Sequence, residues 1–359
     1  MLCPQEFEGI TEGFINKLEN ILRNDLHLRK IKIHPCYIKD TSETSYKESL
    51  YNSELLKCNL VVVIVTEDHI KLPPNHSPYF FCKAKYIGNG IPTQDIQVKN
   101  IKGLNPYVLN NVALNIYAKL GGTAWTVEKE EKRKEELIIG IGSTIDNDGK
   151  HILGIAQIFN SDGLYLVGEC APLSNFDNYT ENLRDYLLQT LNKVIDDHIN
   201  KSQEFQLVFH LFKSASNRYE IQAINDAIRQ FSNLSFKYAL VHLGYRHNFR
   251  LFNDDGKQTV ARGMYVKLEN NSALLHFVPD SCLPLYIQLD NRSTFKDLFY
   301  VSKQIYWFSN LSHRSYMPAK KTVTITYPSL MAALTEKLKQ VDGWDYDRLK
   351  NVADKLWFI

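Results

Sequence analysis

Near residue 125 the order of the apolar periodicities changes, and the two halves of the chain call for two different sheets. In the first half, Phe7, Ile10, Phe14, Leu18 and Ile21 recur at helical spacing, and Lys30 to Ile38 alternates as a strand. A polar helix near Ser42 to Leu56 follows, then the apolar strand Leu60 to Val65, a stretch around Tyr79 to Tyr86, and Gly90 to Val98. Strands alternating with helices predict a parallel, Rossmann-like sheet. The first strand of a complete sheet of that kind is not evident, so the start of the chain reads as late or trimmed.

The charged run Glu128 to Glu136 is the expected linker, and three β runs come after it: Leu137 to Ser143, His151 to Phe159 and Leu164 to Cys170. The turn Asp146-Asn147-Asp148-Gly149 has hairpin chemistry. An amphipathic helix follows with Leu183, Leu187, Leu191 and Ile195 on one face. Next come the strand Phe205 to Phe212, a helix from about Tyr219 to Phe231 and the strand Lys237 to Leu243. The order βββ-α-β-α-β is that of a ribonuclease-H-like sheet. The rest reads as a hairpin around Met264 to Val278, a strand Leu283 to Leu289, a helix from about Thr294 to Phe308, a strand Val323 to Thr326 and a final helix from about Pro328. The fold expected is α/β, with a Rossmann-like domain over 1–125 and a ribonuclease-H-like domain over 126–359.

Composition narrows the function without naming it. With 359 residues there is room for two cores, and a formal net charge of +2 means that any polyanion surface must be a local patch. Cysteines at 3, 36, 58, 82, 170 and 282 form no C-x-x-C pair, which predicts reduced thiols. No segment approaches a membrane span and the N-terminus has no signal-peptide pattern, so the expected compartment is the cytoplasm.

Three strings carry the chemistry: Tyr79-Phe-Phe-Cys-Lys83, Gly90-Ile-Pro-Thr-Gln94, and Leu114-Asn-Ile-Tyr-Ala-Lys119-Leu-Gly-Gly122. Tyr79 and Lys83, four apart, share a helix face, on which a ring can stack on a terminal base while an ammonium meets its phosphate. Gln94 offers an amide that can donate to phosphate or ligate a metal through its oxygen. Lys119, before a Gly-Gly that permits close backbone approach, supplies a second cation. Singly, each fits a surface or loop residue; the order and spacing of the set point to a site.

Together these strings resemble the guide 5′-phosphate pocket of the MID domain in Argonaute proteins, a tyrosine, lysine, glutamine, lysine quartet. The resemblance continues through Ile138-Ile-Gly-Ile-Gly142, Tyr238-Ala-Leu-Val-His242-Leu243, Val323-Thr-Ile-Thr-Tyr-Pro328 and the closing Leu356-Trp-Phe-Ile359. It implies a MID domain followed by a Piwi domain. It also implies that the carboxylate of Ile359, with Gln94, holds Mg²⁺ or another divalent cation at the guide 5′-phosphate. Lys321 stands where the family often has a guide-backbone contact, and Arg314 is a looser candidate.

Slicing members hold two Mg²⁺ ions on carboxylates. The resemblance places those ligands at Gly142, Phe212 and about Leu330, none of which can bind a metal. Asp146 and Asp148 are conceivable substitutes, although Asp and Gly are expected in a hairpin turn for backbone reasons. His210 and Glu169 lie within strands without evident partners. The implied protein is a short prokaryotic Argonaute with an inactive Piwi domain. It would bind a short RNA or DNA guide and a complementary single-stranded target, and signal in prokaryotic defence to an effector encoded nearby, a sirtuin-like or TIR-domain NAD-degrading enzyme or a nuclease. The alternative is an Argonaute-type nuclease with relocated carboxylates.

Overall fold

The computed structural model describes residues 1–128, 135–145, 152–170, 178–198, 204–212, 214–254, 260–279 and 281–359. The hairpin turn with Asp146 and Asp148, and Lys213, lie outside them. The chain divides into two compact units. The first comprises Met1–Ala124, His313–Tyr316 and Ala333–Ile359; the second comprises Trp125–Ser312 and Met317–Ala332. The sequence reading ran the second domain to the C-terminus, whereas residues 333–359 group with the first unit.

The first unit is built on a four-stranded parallel sheet, in the order β2-β1-β3-β4. Its strands are β1 (Leu2–Pro4), β2 (Cys36–Ile38), β3 (Val61–Val65) and β4 (Thr93–Gln97). β1 is the strand that sequence periodicity missed: three residues, one of them proline, are too few to show alternation, yet all three are buried. The expected strand over 30–38 shrinks to Cys36–Ile38. The segment before it satisfies its backbone through α1 (Glu8–Asn24) instead, Arg23 donating to the Ile31 carbonyl at 2.7 Å and Glu19 accepting from the Ile33 amide at 2.6 Å. The apolar alternation there is spent on packing, since Ile31 and Ile33 lie against the core of Phe14, Leu18, Leu22, Val62 and Ile64. The expected polar helix is α2 (Glu43–Ser49), its start capped by the Ser42 hydroxyl accepting from the Ser45 amide. After α3 (Glu67–Lys71) come α4 (Pro78–Gly88), α5 (Val98–Lys102) and α6 (Pro106–Lys119). α4 and α6 both begin with proline at a position where its missing N–H costs nothing.

The second unit has an eight-stranded sheet, in the order β10-β11-β12-β9-β8-β5-β6-β7. β5 (Glu135–Ile145), β6 (Ile152–Asn160) and β7 (Tyr165–Cys170) form the antiparallel group; β8 (Glu204–Leu211) and β9 (Ser235–Gly244) extend it in parallel from β5. This is the ribonuclease-H-like order expected. The antiparallel strands β10 (Tyr265–Lys267), β11 (Ser272–Leu275) and β12 (Leu285–Leu289) complete it beyond β9. Among the described residues its α-helices are α7 (Tyr179–His198), α8 (Gln222–Arg229), α9 (Leu298–Phe308) and the first ten residues of α10 (Val323–Leu338), whose last six group with the first unit.

One expected strand is a helix. Val323 to Thr326 forms the first turn of α10, with Pro328 inside that helix. The β-branched run reads as a strand from propensity alone, and packing against β5 overrides it. Pro328 has no N–H to bond the Thr324 carbonyl four residues back, and that carbonyl lies where a Cβ on Gly140 would sit, at 2.0 Å. No described helix is long and apolar enough to cross a membrane.

Candidate nucleic-acid interface

Residues from three elements and two distant segments of the first unit converge on a cleft of about 330 Å³. α4 contributes Tyr79 and Lys83, β4 contributes Gln94 and Asp95, and α6 contributes Asn111, Asn115 and Lys119; Arg314 and the C-terminal Ile359 complete the lining. Of the residues singled out from sequence, Tyr79, Lys83, Gln94, Lys119, Arg314 and Ile359 are thus brought together. Lys321 is not among them: it is exposed, precedes α10 in the second unit, and holds its ammonium 5.5 Å from the centre of the Tyr245 ring.

The two lysines are almost wholly buried, Lys83 at 2% and Lys119 at 1% exposure, so their environments set their charge. Lys83 Nζ is 2.9 Å from Asp95 Oδ2 and donates to Thr93 Oγ1 at 2.7 Å. Its ammonium also sits 5.4 Å from the Tyr79 ring centre. Burial acts to lower Lys83, but Asp95 and Tyr79 outweigh it and hold the group above its ordinary value. Lys119 donates to Gln94 Oε1 at 2.8 Å. Burial, then Lys83, and more weakly Arg314, push Lys119 well below its ordinary value against the pull of Asp95. Burial also raises the Tyr79 phenol. Gln94 Nε2 donates to the Asp95 carbonyl at 3.1 Å, which fixes the amide with its oxygen toward Lys119.

Asp95 is the residue that the sequence reading missed; it stands next to Gln94 and no spacing argument marked it. Asn111 and Asn115 were missed too, although a signal existed. They precede Lys119 by eight and four residues, a polar stripe along one face of α6.

A hard cation takes oxygen ligands, and Gln94 Oε1 and the Ile359 carboxylate have that chemistry. Gln94 Oε1 already accepts from Lys119, so a cation would take its second lone pair or displace the amine.

In the second unit, the positions implied for slicing ligands lie close in the fold. β5 and β8 pair in parallel with Ile141 opposite Leu211, so Gly142, three residues before the end of β5, neighbours Phe212, the residue after β8. Leu330 lies in α10, two residues after Pro328. A Cβ at Gly142 would meet Pro328 Cβ at 2.6 Å, so the helix fills the space in which a side chain at 142 would stand. His210 is not partnerless as expected: its Nδ1 lies 2.7 Å from Thr324 Oγ1, and burial lowers its pKa to about 3. Glu169 lies in β7 opposite Ala156.

A parallel α/β unit with a basic, aromatic cleft and a ribonuclease-H-like unit define an Argonaute-type architecture. The Piwi domain family model matches residues 60–280. The chain belongs to this family, which is of the nucleic-acid-binding Argonaute/Piwi type. The Argonaute protein of Cereibacter sphaeroides is 25% identical over 397 residues, spanning 98% of this chain and 50% of its own. The Piwi protein of Archaeoglobus fulgidus is 23% identical over 319 residues, spanning 80% of this chain and 73% of its own. The chain therefore covers half the length of the first relative. A crystal structure of Aa-Ago with externally bound siRNA matches with a TM-score of 0.66 at 20% identity, over 100% of this chain and 50% of that one, a likeness of fold.

Proposed function

We propose that this protein anchors the phosphorylated 5′ end of a short RNA or DNA guide in the cleft of its first unit and presents the guide for pairing with a complementary single strand. The observation that carries this reading is the convergence of Tyr79, Lys83, Gln94, Lys119, Arg314 and Ile359, from segments up to 280 residues apart, on one cleft. A half-buried ring beside buried cations suits a terminal base and its phosphate. The Aa-Ago structure with siRNA supports nucleic acid as the ligand class. A divalent cation arriving with the phosphate would be held by Gln94 and the Ile359 carboxylate and would supply neutralising charge.

The same reading makes the protein a sensor that does not cut. Gly142, Phe212 and Leu330 offer no carboxylate, and sensing without cutting needs an effector protein that responds to the guide–target duplex in prokaryotic defence. Such a response requires contacts that differ between the two states. Two measurements test the proposal. Protein purified from its host should carry short nucleic acid with a 5′ phosphate, and guide-loaded protein should leave a matched target intact in Mg²⁺ or Mn²⁺ while activating a co-purified neighbour only when guide and target are both present. Target cleavage at a fixed distance from the guide end would refute the sensor reading in favour of a nuclease.

A further inference from the structure

The four cleft residues of the resemblance do not share one role. Lys83 Nζ has three hydrogens and three acceptors: Asp95 Oδ2 at 2.9 Å, Thr93 Oγ1 at 2.7 Å and the Thr93 carbonyl at 3.4 Å. Asp95 is itself a buried cleft residue, its side chain 6% exposed. Lys83 therefore enters any encounter with an anion already neutralised by a carboxylate of its own chain. Lys119 differs. Among the described residues its one hydrogen-bond partner is Gln94 Oε1, a neutral oxygen, and it has no carboxylate partner of its own, so N–H capacity remains uncommitted inside the cleft.

We infer that Asp95 acts as an internal counter-anion to Lys83, so that Lys119 reads the guide's terminal phosphate and Asp95 sets how strongly a phosphorylated end is preferred over a hydroxyl end. The inference rests on the guide-pocket reading above. A phosphate entering the cleft meets at Lys119 an amine with N–H groups to spare, whose charged form the phosphate itself favours, and meets at Lys83 an ammonium whose bonds to Asp95 and Thr93 would first have to break. Asp95 also repels the phosphate directly. It is thus a specificity-determining residue whose charge reduces the preference for phosphate.

The test is the ratio of affinities for 5′-phosphorylated and 5′-hydroxyl versions of one guide, measured on the full chain by fluorescence anisotropy. Replacing the pair together, Lys83→Met with Asp95→Leu, exchanges a buried ion pair for apolar groups of similar size, a change that folded proteins often tolerate. This double variant should lower the ratio far less than Lys119→Met, which should bring it close to one, a loss of roughly tenfold or more for a charge-assisted bond. Asp95→Asn, which frees Lys83, should raise the ratio by several-fold. A double variant that loses the preference overturns the inference, because Lys83 then reads the phosphate. A ratio that falls or stays fixed in folded Asp95→Asn overturns the role given to Asp95. If the unaltered protein binds both guides equally, the guide-pocket reading itself fails, which separates that failure from this one.

Discussion

The cleft of the first unit and the face of β5 under α10 in the second treat charge in opposite ways. In the cleft two ammonium groups are almost fully buried, and removing an ion from water costs several kcal/mol that only good partners return. Lys83 has such a partner in Asp95; among the described residues Lys119 has only an amide oxygen, and it is pushed toward its neutral form. Around Gly140 and Gly142 of β5 no charged side chain is accommodated: α10 packs so closely that Thr324 and Pro328 occupy the space a Cβ atom would need. One region keeps an arrangement that is poor for folding and good for binding an anion. The other has settled into packing.

The largest effect should come from breaking that packing. A Cβ at Gly140 would lie 2.0 Å from the Thr324 carbonyl oxygen, and one at Gly142 would lie 2.6 Å from Pro328 Cβ. Backbone cannot swing aside as a long side chain can, so overpacking here should cost at the upper end of the ~1 to 3 kcal/mol range or beyond it. Gly140→Ala and Gly142→Asp should both lower the denaturant midpoint, and Gly142→Asp should not produce a protein that cuts a matched target. A Gly142→Asp protein as stable as the parent, or one that slices a target, would show that the space is open.

That tight approach was not legible in the sequence, because Gly140 and Thr324 are 184 residues apart and nothing local links them. Elements with several turns or a long apolar run, such as α1, β3 and α7, were readable from period alone. β1 was too short, and Val323 to Thr326 carried β-branched residues into a helix. The cleft was legible as far as residue type and spacing reach: Tyr79 with Lys83, then Gln94 and Lys119. Asp95 escaped because its importance lies in being 2.9 Å from Lys83, a cross-element contact rather than a spacing. Arg314 and Ile359 joined the set only through resemblance, and their position in the cleft depends on how the C-terminal segments fold back within the first unit.

A second effect follows from His210, fully buried in β8 opposite Gly140. Its folded pKa is lowered to about 3 from an ordinary 6.5 by burial. A base with a depressed folded pKa is neutral in the fold while the unfolded chain takes a proton, so stability falls as pH drops from about 6.5 toward 3. Each pH unit well inside that window costs up to about 1.4 kcal/mol. Denaturant melts between pH 7 and 4 should show this slope, and His210→Leu should flatten it even if the loss of the Thr324 contact lowers stability at neutral pH. Equal slopes for both proteins would mean that His210 does not govern the acid limb.

In the cleft, Lys119→Met should have two effects of opposite sign. Affinity for a 5′-phosphorylated guide should drop by roughly tenfold or more, on the order of 1.5 to 3 kcal/mol for a charge-assisted hydrogen bond. Stability of the unliganded protein should hold or rise, because an apolar side chain replaces an amine that is costly to bury. A loss of both together would make Lys119 a structural residue and would erase the contrast between the two regions.

The smallest effect is expected at Lys321, where the two regions can be compared on the same ligand. Its ammonium lies over the exposed side of Tyr245, whose hydroxyl donates to the Lys320 carbonyl at 2.9 Å, so the chain around it is already anchored without the charge. A cation–π contact at an exposed position is worth about 0.5 to 1 kcal/mol, and a single backbone-phosphate contact adds an attraction that ignores both sequence and end chemistry. Losing that one phosphate contact, Lys321→Ala should weaken phosphorylated and hydroxyl guides alike by a few-fold and reduce the slope of log affinity against log salt by about one. Lys119→Met should instead act on the phosphorylated end alone. If Lys321→Ala removed the preference for the 5′ phosphate, the end of the guide would be read in the second unit rather than in the cleft. If it changed neither affinity nor salt slope, Lys321 would be a solvated charge, and the contacts of the second unit with nucleic acid would have to be sought at other side chains.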